Sequence, residues 1–520
     1  MDRLRFAFLF AIAAGIAIPD TTCAENRGKA EHVLVVVWDG MRPDFVSEKN
    51  TPTLAALAHD GVTFRNNHAV FPSATNVNGT ALVTGAYPGR SGLLANHVYQ
   101  PEIDAKKSID VEIPVVVQKG DELSGGKYVA VPTIAELVQV GGGRSAIATA
   151  KTVGLLLDRH IDPKRGKDCL TLFAGKSLPP DAILSIAKTL GPFPAPPKKP
   201  FTQSDSWTTK ALTDFLWKDG VPAFSLLWLS EPDASQHATA PGTDAALAAI
   251  KSSDKNLALA LAELNRQQVR ATTDVFVVSD HGFSTIRHMI RLPEVLAHAG
   301  FHVATEFTAP PKPGDIMMVG NGGAVLFYVT GHDQAVTHRL VEFLQQSDFA
   351  GVIFTKAPME GTFTLDQGKI DNAHAPDVEL AFRWNDSKNQ VGVPGMIDAD
   401  WQRAAGEGTH ATLSKFDMHN TLIAAGPDFR RGEGDDSPSG NVDLAPTIAR
   451  ILGIASPEKM DGRVLSEAMT GEAVELPAAN THTLEAAHNF PDGNWKQYLR
   501  VTELGGTIYL DEGNGEFAGR

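Results

Sequence analysis

The chain has 520 residues, of which 43% are hydrophobic and 21% are charged, and this balance is typical of a globular protein with a large buried core. Its 61 acidic residues outnumber its 46 basic residues and give a net charge of −15. That charge excludes a protein that coats nucleic acids, and the chain shows no basic patch for anionic membranes. Small phosphorylated substrates are still allowed, because bound metal ions can invert the local field.

The first residues have the pattern of an export signal. A charged start precedes an apolar run over 6–18, which is too short to span a bilayer. We expect cleavage after Ala24, and the polar residues before Cys23 argue against lipid attachment there. Cleavage leaves Cys169 as the only thiol, so no intramolecular disulfide is expected. The sequence therefore predicts an exported protein, periplasmic or secreted, without a membrane anchor, and leaves its oligomeric state open.

The first predicted core strand is the apolar run 33–38, whose β-branched residues suit a strand buried on both faces. It ends in Asp39, so a carboxylate lies just past its carboxyl end. Ligands of open α/β sheets bind at that edge, although a carboxylate is also common at an ordinary strand exit. Thr51 and Pro52 then begin a helix, with Thr51 as its N-cap.

A segment rich in hydroxyl groups, 70–78, precedes a helix that we expect over 79–84. Thr75 in this segment has two interpretations. It is either a helix N-cap, a common role of hydroxyl residues, or a nucleophile held at a helix N-terminus. Backbone N–H groups and the helix dipole favour a phosphate at that place. One side-chain oxygen can serve only one of these roles at a time.

Three further apolar runs, at 145–149, 223–229 and 275–278, repeat the pattern of a strand followed by polar side chains. A helix is predicted over 208–218, and an amphipathic helix predicted over 254–269 covers the sheet before the last of these strands. The polar residues that follow these runs are Lys151, Asp233, His237, Asp280 and His281.

These alternating elements predict an α/β fold with a mostly parallel central sheet and helices on both of its faces. Strand-like runs and helices between 290 and 400 predict an inserted α+β cap, and a hairpin is expected where Gly505 and Gly506 separate two strand-like runs. The predicted domains are a signal peptide at 1–24, a catalytic core at 25–289 and 401–470, a cap at 290–400 and a C-terminal extension with a β-hairpin at 471–520.

Seven side chains form a candidate site for two metal ions. They comprise three carboxylates, three imidazoles and one hydroxyl, and a zinc site uses three or four protein ligands. Two of them are four residues apart, so one helical turn can bring both to one ion. The seven residues are Asp39, Thr75, Asp233, His237, Asp280, His281 and His410.

The motifs around these residues occur in a recognisable order: W-D-G-M-R-P-D-F, F-P-S-A-T-N-V-N, S-E-P-D-A-S-Q-H, V-S-D-H-G-F and G-T-H. Together they span about 33–455 and resemble the alkaline phosphatase superfamily. The resemblance is to its nucleotide pyrophosphatase/phosphodiesterase-like branch, which has a Thr nucleophile. It implies an alkaline-phosphatase-like fold and a dizinc hydrolase that acts on small phosphate esters.

The resemblance also implies roles for individual residues. Thr75 attacks the phosphorus in line and forms a phosphothreonine intermediate. Asn96, 21 positions later, binds a non-bridging phosphoryl oxygen. Two Zn²⁺ ions are held by two sets of ligands, which are Asp233, His237 and His410 for one ion, and Asp39, Thr75, Asp280 and His281 for the other.

Two departures from the branch bear on the substrate. Nucleotide-cleaving members usually continue after the Thr with Phe-Pro-Asn-His, whereas residues 76–79 are N-V-N-G here. The segment before Lys151 resembles phosphonoacetate hydrolases and some Thr-type monoesterases, in which a Lys and a second basic residue contact the substrate. Val153 occupies the second position, and one Lys supplies little positive charge for a phosphate dianion. The single Lys favours diesters, so the sequence predicts a phosphodiesterase or nucleotide pyrophosphatase, whereas residues 76–79 weigh against specificity for nucleotides.

Several alternatives stay open. A phosphomonoesterase or a phosphonate hydrolase is the alternative enzyme, and Lys151 has the alternative of a solvated strand end. A non-catalytic exported protein that binds metal or phosphate is the alternative of another class. A sulfatase is excluded, because neither Thr75 nor Cys169 lies in the Cys/Ser-x-Pro-x-Arg motif that sulfatases need.

Overall fold

The computed structural model describes residues 27–159, 169–194, 199–471 and 475–519. The predicted signal peptide and Cys23 lie outside the described residues. Cys169 is buried and has a free thiol. Across the described ranges, no helix combines the length and the apolar character that crossing a bilayer requires.

The largest sheet within these residues has nine strands and is mostly parallel, as predicted. Its five neighbouring strands from Thr273–Val278 to Leu170–Phe173 all run parallel. The antiparallel pairings lie toward its two sides. In spatial order the strands are Glu433–Asp435, Val62–Phe64, Leu422–Ala425, Thr273–Val278, His32–Trp38, Phe224–Leu229, Ser145–Thr149, Leu170–Phe173 and Lys176–Leu178.

Helices cover both faces of this sheet, because its central strands are apolar on both sides. In the strand His32–Trp38, the valines at 33, 35 and 37 belong to one buried cluster, and the residues at 34, 36 and 38 belong to another. The first cluster includes residues of the helices Thr75–Thr84, Ile134–Val140 and Leu444–Leu452. The second includes residues of the helices Pro52–His59, Thr202–Lys210 and Asp244–Arg266.

The helix Pro52–His59 begins where the sequence predicts, with Thr51 at the N-cap position, but the Thr51 side chain makes no capping hydrogen bond. The Thr51 hydroxyl donates to the carbonyl oxygen of Ser47 at 3.0 Å and caps nothing in the helix. The carboxylate of Asp254 accepts two N–H groups of the first turn instead, at 2.9 and 3.1 Å from Leu54 and Thr53. The cap therefore comes from the long neighbouring helix.

Three helices differ in extent from their predictions. The helix predicted over 79–84 begins at Thr75. The helix predicted over 254–269 is Asp244–Arg266 and begins ten residues earlier. The helix predicted over 208–218 is an α-helix, Thr202–Lys210, continued by a π-helical segment, Ala211–Leu216. The remaining described α-helices outside residues 290–400 are Pro88–Ser91, Pro114–Ser124, Gly154–Leu157, Ala182–Leu190, Asp233–Thr239 and Lys415–Met418.

Residues 290–400 contribute a second, six-stranded sheet with helices Leu292–His298 and Gln334–Gln345 packed on one face. Its other face packs on core residues that include Leu93 and Leu94. The strands are, in spatial order, Val303–Ala304, Ile316–Gly320, Ala324–Val329, Val378–Phe382, Ala350–Thr355 and Phe363–Thr364. A smaller sheet of Trp384–Lys388, Pro394–Ala399, Ser284–Met289 and Gly408–Thr409 links this region to the core. The proposed domain limits at 290 and 400 stay predictions.

The C-terminal residues form a three-stranded antiparallel sheet of Asn480–Phe490, Gly493–Leu504 and Thr507–Ala518. Gly505 and Gly506 make the turn between the last two strands, with φ of 62° and 89°. Positive φ at both central residues is what a two-residue hairpin turn requires. The remaining strands within the described residues are the short pairs Asn67–His68 with Ser439–Gly440 and His97–Val98 with Ile109–Asp110.

Glu379 gives the second sheet a pH-dependent stability. It is fully buried in the strand Val378–Phe382, and neither carboxyl oxygen forms a hydrogen bond within the described part of the chain. Burial raises the pKa of Glu379 from 4.5 to about 8. The unfolded chain therefore ionises at this residue above about pH 4.5, whereas the folded chain keeps the proton up to about pH 8.

We expect Glu379→Gln to raise the Tm more at pH 8 than at pH 5. The wild-type protein loses about 1.4 kcal/mol of folding free energy per pH unit between the two pKa values, and a Gln side chain does not titrate. Thermal unfolding at both pH values measures the difference. The exposed Glu342→Gln is the control and should change the Tm equally at both pH values. Equal Tm changes for Glu379→Gln at pH 5 and pH 8 would contradict the prediction.

Candidate active site

Strand register brings the predicted polar residues to one edge of the central sheet. Trp38 lies beside Leu229, and Val37 lies beside Val278 in the parallel pairing. The chain segments that follow these strands therefore leave the sheet at the same level. They carry Asp39, Asp233, Asp280 and His281, and the adjacent strand Ser145–Thr149 leads to Lys151.

The turn at Gly40 holds three of these segments together. Its φ of +69° suits glycine, and a Cβ there would lie 2.9 Å from the Phe283 ring and 3.3 Å from the Cα of Asp233. The N–H of Gly40 donates to Asp280 Oδ1 at 3.0 Å. Its carbonyl oxygen accepts a hydrogen bond from Gln236 Nε2 at 2.8 Å. The turn thus holds Asp39, Asp233 and Asp280 in fixed positions relative to one another.

Asp233, His237 and His410 form the first group of possible metal ligands. Their ligand atoms lie within 4.8 Å of one another, and all three side chains are buried. Asp233 Oδ1 is 3.1 Å from His237 Nε2 and 3.6 Å from His410 Nε2. Asp233 and His237 lie one turn apart on the short helix Asp233–Thr239, as their spacing predicts.

Asp39, Asp233 and His281 form a second group within the same 4.8 Å limit. His281 Nε2 is 3.7 Å from Asp39 Oδ1 and 3.2 Å from Asp280 Oδ2. The same nitrogen is 3.3 Å from Thr75 Oγ1. The structure therefore brings all seven predicted residues together, and Asp233 belongs to both groups.

The three imidazoles are oriented by backbone carbonyl groups. The Nδ1 atom of each ring lies 2.8–2.9 Å from a carbonyl oxygen, which is that of Gly408 for His237, Gly282 for His281 and Ser73 for His410. Because a carbonyl oxygen only accepts, Nδ1 carries the ring proton and donates it. The Nε2 lone pairs are then free for a metal, which is how metal-binding histidines are usually held.

The carboxylates have oxygen atoms that a cation would satisfy. Asp39 Oδ1, Asp233 Oδ1 and Asp280 Oδ2 are buried and form no hydrogen bond within the part of the chain that the structure describes. Buried carboxylate oxygens are normally paired or bound to metal, because leaving them unpaired is costly. Three such oxygens beside three Nε2 atoms fit divalent cations that accept mixed oxygen and nitrogen ligands.

Burial keeps His237 and His410 in the neutral form that binds metal. Burial lowers the pKa of His237, and burial together with His281 lowers the pKa of His410 well below its usual range. Both rings are therefore neutral at pH 7. Burial raises the pKa of Asp280 to about 7. Burial also raises the pKa of Asp233, but His237 and Lys151 outweigh it and hold that pKa well below its usual range.

Thr75 is the first residue of its helix and not the N-cap, which is Ala74. The N-cap interpretation of Thr75 is therefore wrong. Within the described residues its hydroxyl makes no capping hydrogen bond, and it lies 3.3 Å from His281 Nε2. The hydroxyl oxygen is thus available beside both groups of possible ligands.

Asn96 and Lys151 also lie at the site. Asn96 Oδ1 accepts the backbone N–H of Asn76 at 2.9 Å, which leaves the amide nitrogen of Asn96 to donate next to Thr75. Lys151 Nζ is 2.8 Å from Asp39 Oδ2 and 3.2 Å from Asp233 Oδ2, and 23% of its side chain is exposed. Lys151 is therefore an ion-paired residue of the site and not a solvated strand end.

Sequence reasoning missed Trp228, which contacts the carboxylate of a candidate ligand. The indole Nε1 of Trp228 donates to Asp39 Oδ2 at 2.8 Å. Trp228 lies inside the strand Phe224–Leu229, where an apolar residue is expected in any case, so no local signal marks it. It fixes the orientation of the Asp39 carboxylate.

Buried carboxylates and imidazoles thus lie beside the Thr75 hydroxyl at the carboxyl edge of an α/β sheet. This arrangement is that of a metal-dependent hydrolase of phosphoric esters. Residues 33–385 match the profile of the family described as type I phosphodiesterase / nucleotide pyrophosphatase. The chain belongs to this family, which is part of the alkaline phosphatase superfamily.

Two relatives and one solved structure support this assignment. The chain is 21% identical over 511 residues to human ectonucleotide pyrophosphatase/phosphodiesterase family member 7, covering 98% of this chain and 97% of the relative. It is 25% identical to a bis(5'-adenosyl)-triphosphatase of Xenopus laevis, covering 81% and 78% of the two chains. The solved structure of human ectonucleotide pyrophosphatase/phosphodiesterase 5 has the same fold, with a TM-score of 0.59, 18% identity, and coverage of 85% of this chain and all of that one.

Proposed function

We propose that this protein is an exported dizinc phosphodiesterase or nucleotide pyrophosphatase with Thr75 as its nucleophile. The main support for the proposal is the position of the Thr75 hydroxyl, which lies at a helix N-terminus, 3.3 Å from His281 Nε2. The residue set supports zinc, because it mixes imidazole and carboxylate ligands. Export rests on the N-terminal sequence pattern alone.

Two sets of residues would hold the two ions. When bound, such a pair activates a hydroxyl and stabilises negative charge on the attacking and leaving oxygens of an in-line displacement. One set combines a carboxylate with two imidazoles, and the other combines two carboxylates, an imidazole and a hydroxyl. The sets are Asp233, His237 and His410 for one ion, and Asp39, Thr75, Asp280 and His281 for the other.

The reaction proceeds in two displacements at phosphorus. Thr75 Oγ1 attacks and forms its bond to phosphorus while its hydroxyl proton passes to water. The bond to the leaving oxygen breaks with its electron pair, and the leaving oxygen then takes a proton from water. A water molecule next attacks the phosphothreonine and releases Thr75 and a phosphate monoester. Asn96 donates an amide hydrogen to a non-bridging oxygen, and the N-terminus of the helix adds its dipole.

The charge at Lys151 supports a diester over a monoester. Its ammonium group is shared by Asp39 and Asp233, so little positive charge is left for the second negative charge of a phosphate dianion. The names of the relatives also point to phosphodiester and pyrophosphate bonds, and one murine relative was solved as an inactive variant in complex with AMP. These observations favour a nucleotide-type substrate over a monoester or a phosphonate.

We expect zinc-loaded protein to hydrolyse an aryl phosphodiester more than about tenfold faster than the monoester or phosphonate with the same leaving group. The reason is that a diester carries one negative charge near phosphorus where a monoester carries two. Initial rates at equal substrate concentration, measured by release of the aryl alcohol, give the comparison. A diester rate within tenfold of the monoester rate, or below it, would overturn the diester preference. Binding of zinc without turnover of any of the three esters would favour the non-catalytic alternative.

A further inference from the structure

Four buried asparagines form a continuous chain of hydrogen bonds beneath the site. Each is at most 1% exposed, and they come from distant parts of the sequence. We call them the amide chain. They are Asn67, Asn78, Asn420 and Asn441.

The hydrogen bonds of the amide chain all run in one direction. Ser439 Oγ donates to Asn67 at 3.0 Å, and Asn67 Nδ2 donates to Asn420 Oδ1 at 2.8 Å. Asn420 Nδ2 then donates to Asn441 Oδ1 at 3.0 Å, and Asn441 Nδ2 donates to Asn78 Oδ1 at 2.9 Å. Bonds aligned in this way polarise one another in a low-dielectric interior.

At one end the amide chain holds the loop that leads to the nucleophile. Asn78 Oδ1 accepts the N–H of Val70 at 2.7 Å, which fixes the orientation of the amide group. Its Nδ2 lies 3.1 Å from the carbonyl oxygens of Val70 and Ala74, and 3.3 Å from that of Pro72. Because Ala74 directly precedes Thr75, this side chain sets the path of the backbone into the nucleophile.

Near its middle the amide chain holds the strand end that carries two candidate ligands. Asn441 Nδ2 donates to the carbonyl oxygen of Asp280 at 2.6 Å. Asn420 Nδ2 donates to the carbonyl oxygen of Ser279. These bonds fix the backbone on the N-terminal side of His281, whose Nε2 is 3.3 Å from Thr75 Oγ1.

We infer that Asn78 and Asn441 are positioning residues that set the distance between Thr75 Oγ1 and the Asp280–His281 pair. The inference rests on the proposed role of Thr75 as nucleophile. The hydrogen bond from Asn441 to Asn78, 2.9 Å long, connects the two backbone segments through buried side chains. Its loss lets these segments move independently, and a displacement of about 1 Å in an attacking group costs on the order of 100-fold in rate.

Asn441→Ala tests the inference. We expect the kcat for an aryl phosphodiester to fall about 10- to 100-fold, with the KM within about twofold, because the variant leaves substrate-binding groups in place. The affinity for one of two zinc ions should fall about tenfold, since Asp280 and His281 lose their backbone support. Rapid-quench measurement of phosphothreonine should show a slower first displacement.

Asn256→Ala is the matched control. Asn256 is also 1% exposed, but it lies in the helix Asp244–Arg266 and outside the amide chain. We expect it to lower the Tm while leaving the kcat and the zinc affinity within about twofold of the wild type. Equal losses of kcat in the two variants would overturn the inference, because they would reflect general destabilisation. A kcat of Asn441→Ala within twofold of the wild type would overturn it as well.

Asn78→Asp is a second variant that keeps the side-chain shape if Asn441→Ala does not fold. It replaces the amide nitrogen by an oxygen that faces three carbonyl groups, so we expect the same loss of kcat, and unchanged kcat would contradict the inference. If the wild-type protein shows no turnover that depends on Thr75, the proposed function fails. The zinc titrations of Asn441→Ala and Asn256→Ala then still decide the inference, which stands only if the former alone binds one ion more weakly.

Discussion

Thr75→Ala is expected to reduce the turnover of an aryl phosphodiester by at least about 1,000-fold. The variant removes the hydroxyl oxygen that lies 3.3 Å from His281 Nε2, beside both groups of candidate ligands. Initial rates with zinc-loaded protein measure the loss. Zinc should stay bound, because the remaining ligands supply three or more protein groups to each ion.

Thr80→Ala is the matched control for this prediction. Thr80 is a fully buried threonine of the same helix, and its hydroxyl donates to the carbonyl oxygen of Asn76 at 2.8 Å. We expect its turnover to stay within about threefold of the wild type. Retention of more than a tenth of the wild-type rate by Thr75→Ala would show that another group attacks the phosphorus.

Asp233→Asn is expected to remove zinc as well as activity. Asp233 belongs to the proposed ligand set of one ion, together with His237 and His410, so replacing its carboxylate by an amide weakens the binding of that ion. We expect the zinc content after dialysis to fall from two ions per chain to one or none, and turnover to fall on the order of 1,000-fold. Elemental analysis and initial rates on the same sample measure the two effects.

Asp377→Asn controls for the loss of a buried carboxylate elsewhere. Asp377 is 5% exposed and accepts the N–H of Val329 at 2.7 Å, in the second sheet. Its variant should keep two zinc ions per chain even if its Tm falls. Two tightly bound zinc ions in Asp233→Asn would contradict the proposed ligand sets.

The core strands could be predicted because their signal is local. The apolar runs 33–38, 145–149, 223–229 and 275–278 are strands in the structure, with ends that differ by at most two residues. The long helix was predicted too short, because its first turns are rich in alanine, whose small side chain gives a weak hydrophobic signal. The strand Asn480–Phe490 was missed because its residues are exposed or half-buried and few of them are large and apolar.

The candidate site also contains some residues that could be predicted from the sequence and others that could not. Its carboxylates and imidazoles could be found because most of them follow a strand end, and strand ends meet at one edge of a parallel sheet. The amide chain could not be found, because asparagine is an ordinary turn residue and the four positions lie between 67 and 441. The cap supplied by Asp254 escaped prediction for the same reason, since its partners are about 200 positions away.

The candidate ligands are far apart along the chain, and this limits the stage of synthesis at which a metal ion can bind. Asp233 has neighbours as far apart in sequence as Asp39 and His410, and the ring of His410 is held by the carbonyl group of Ser73. A ribosome has made most of the polypeptide before the last of these donors exists. A metal ion bound by Asp233, His237 and His410 can therefore be taken up only after residue 410 has been synthesised.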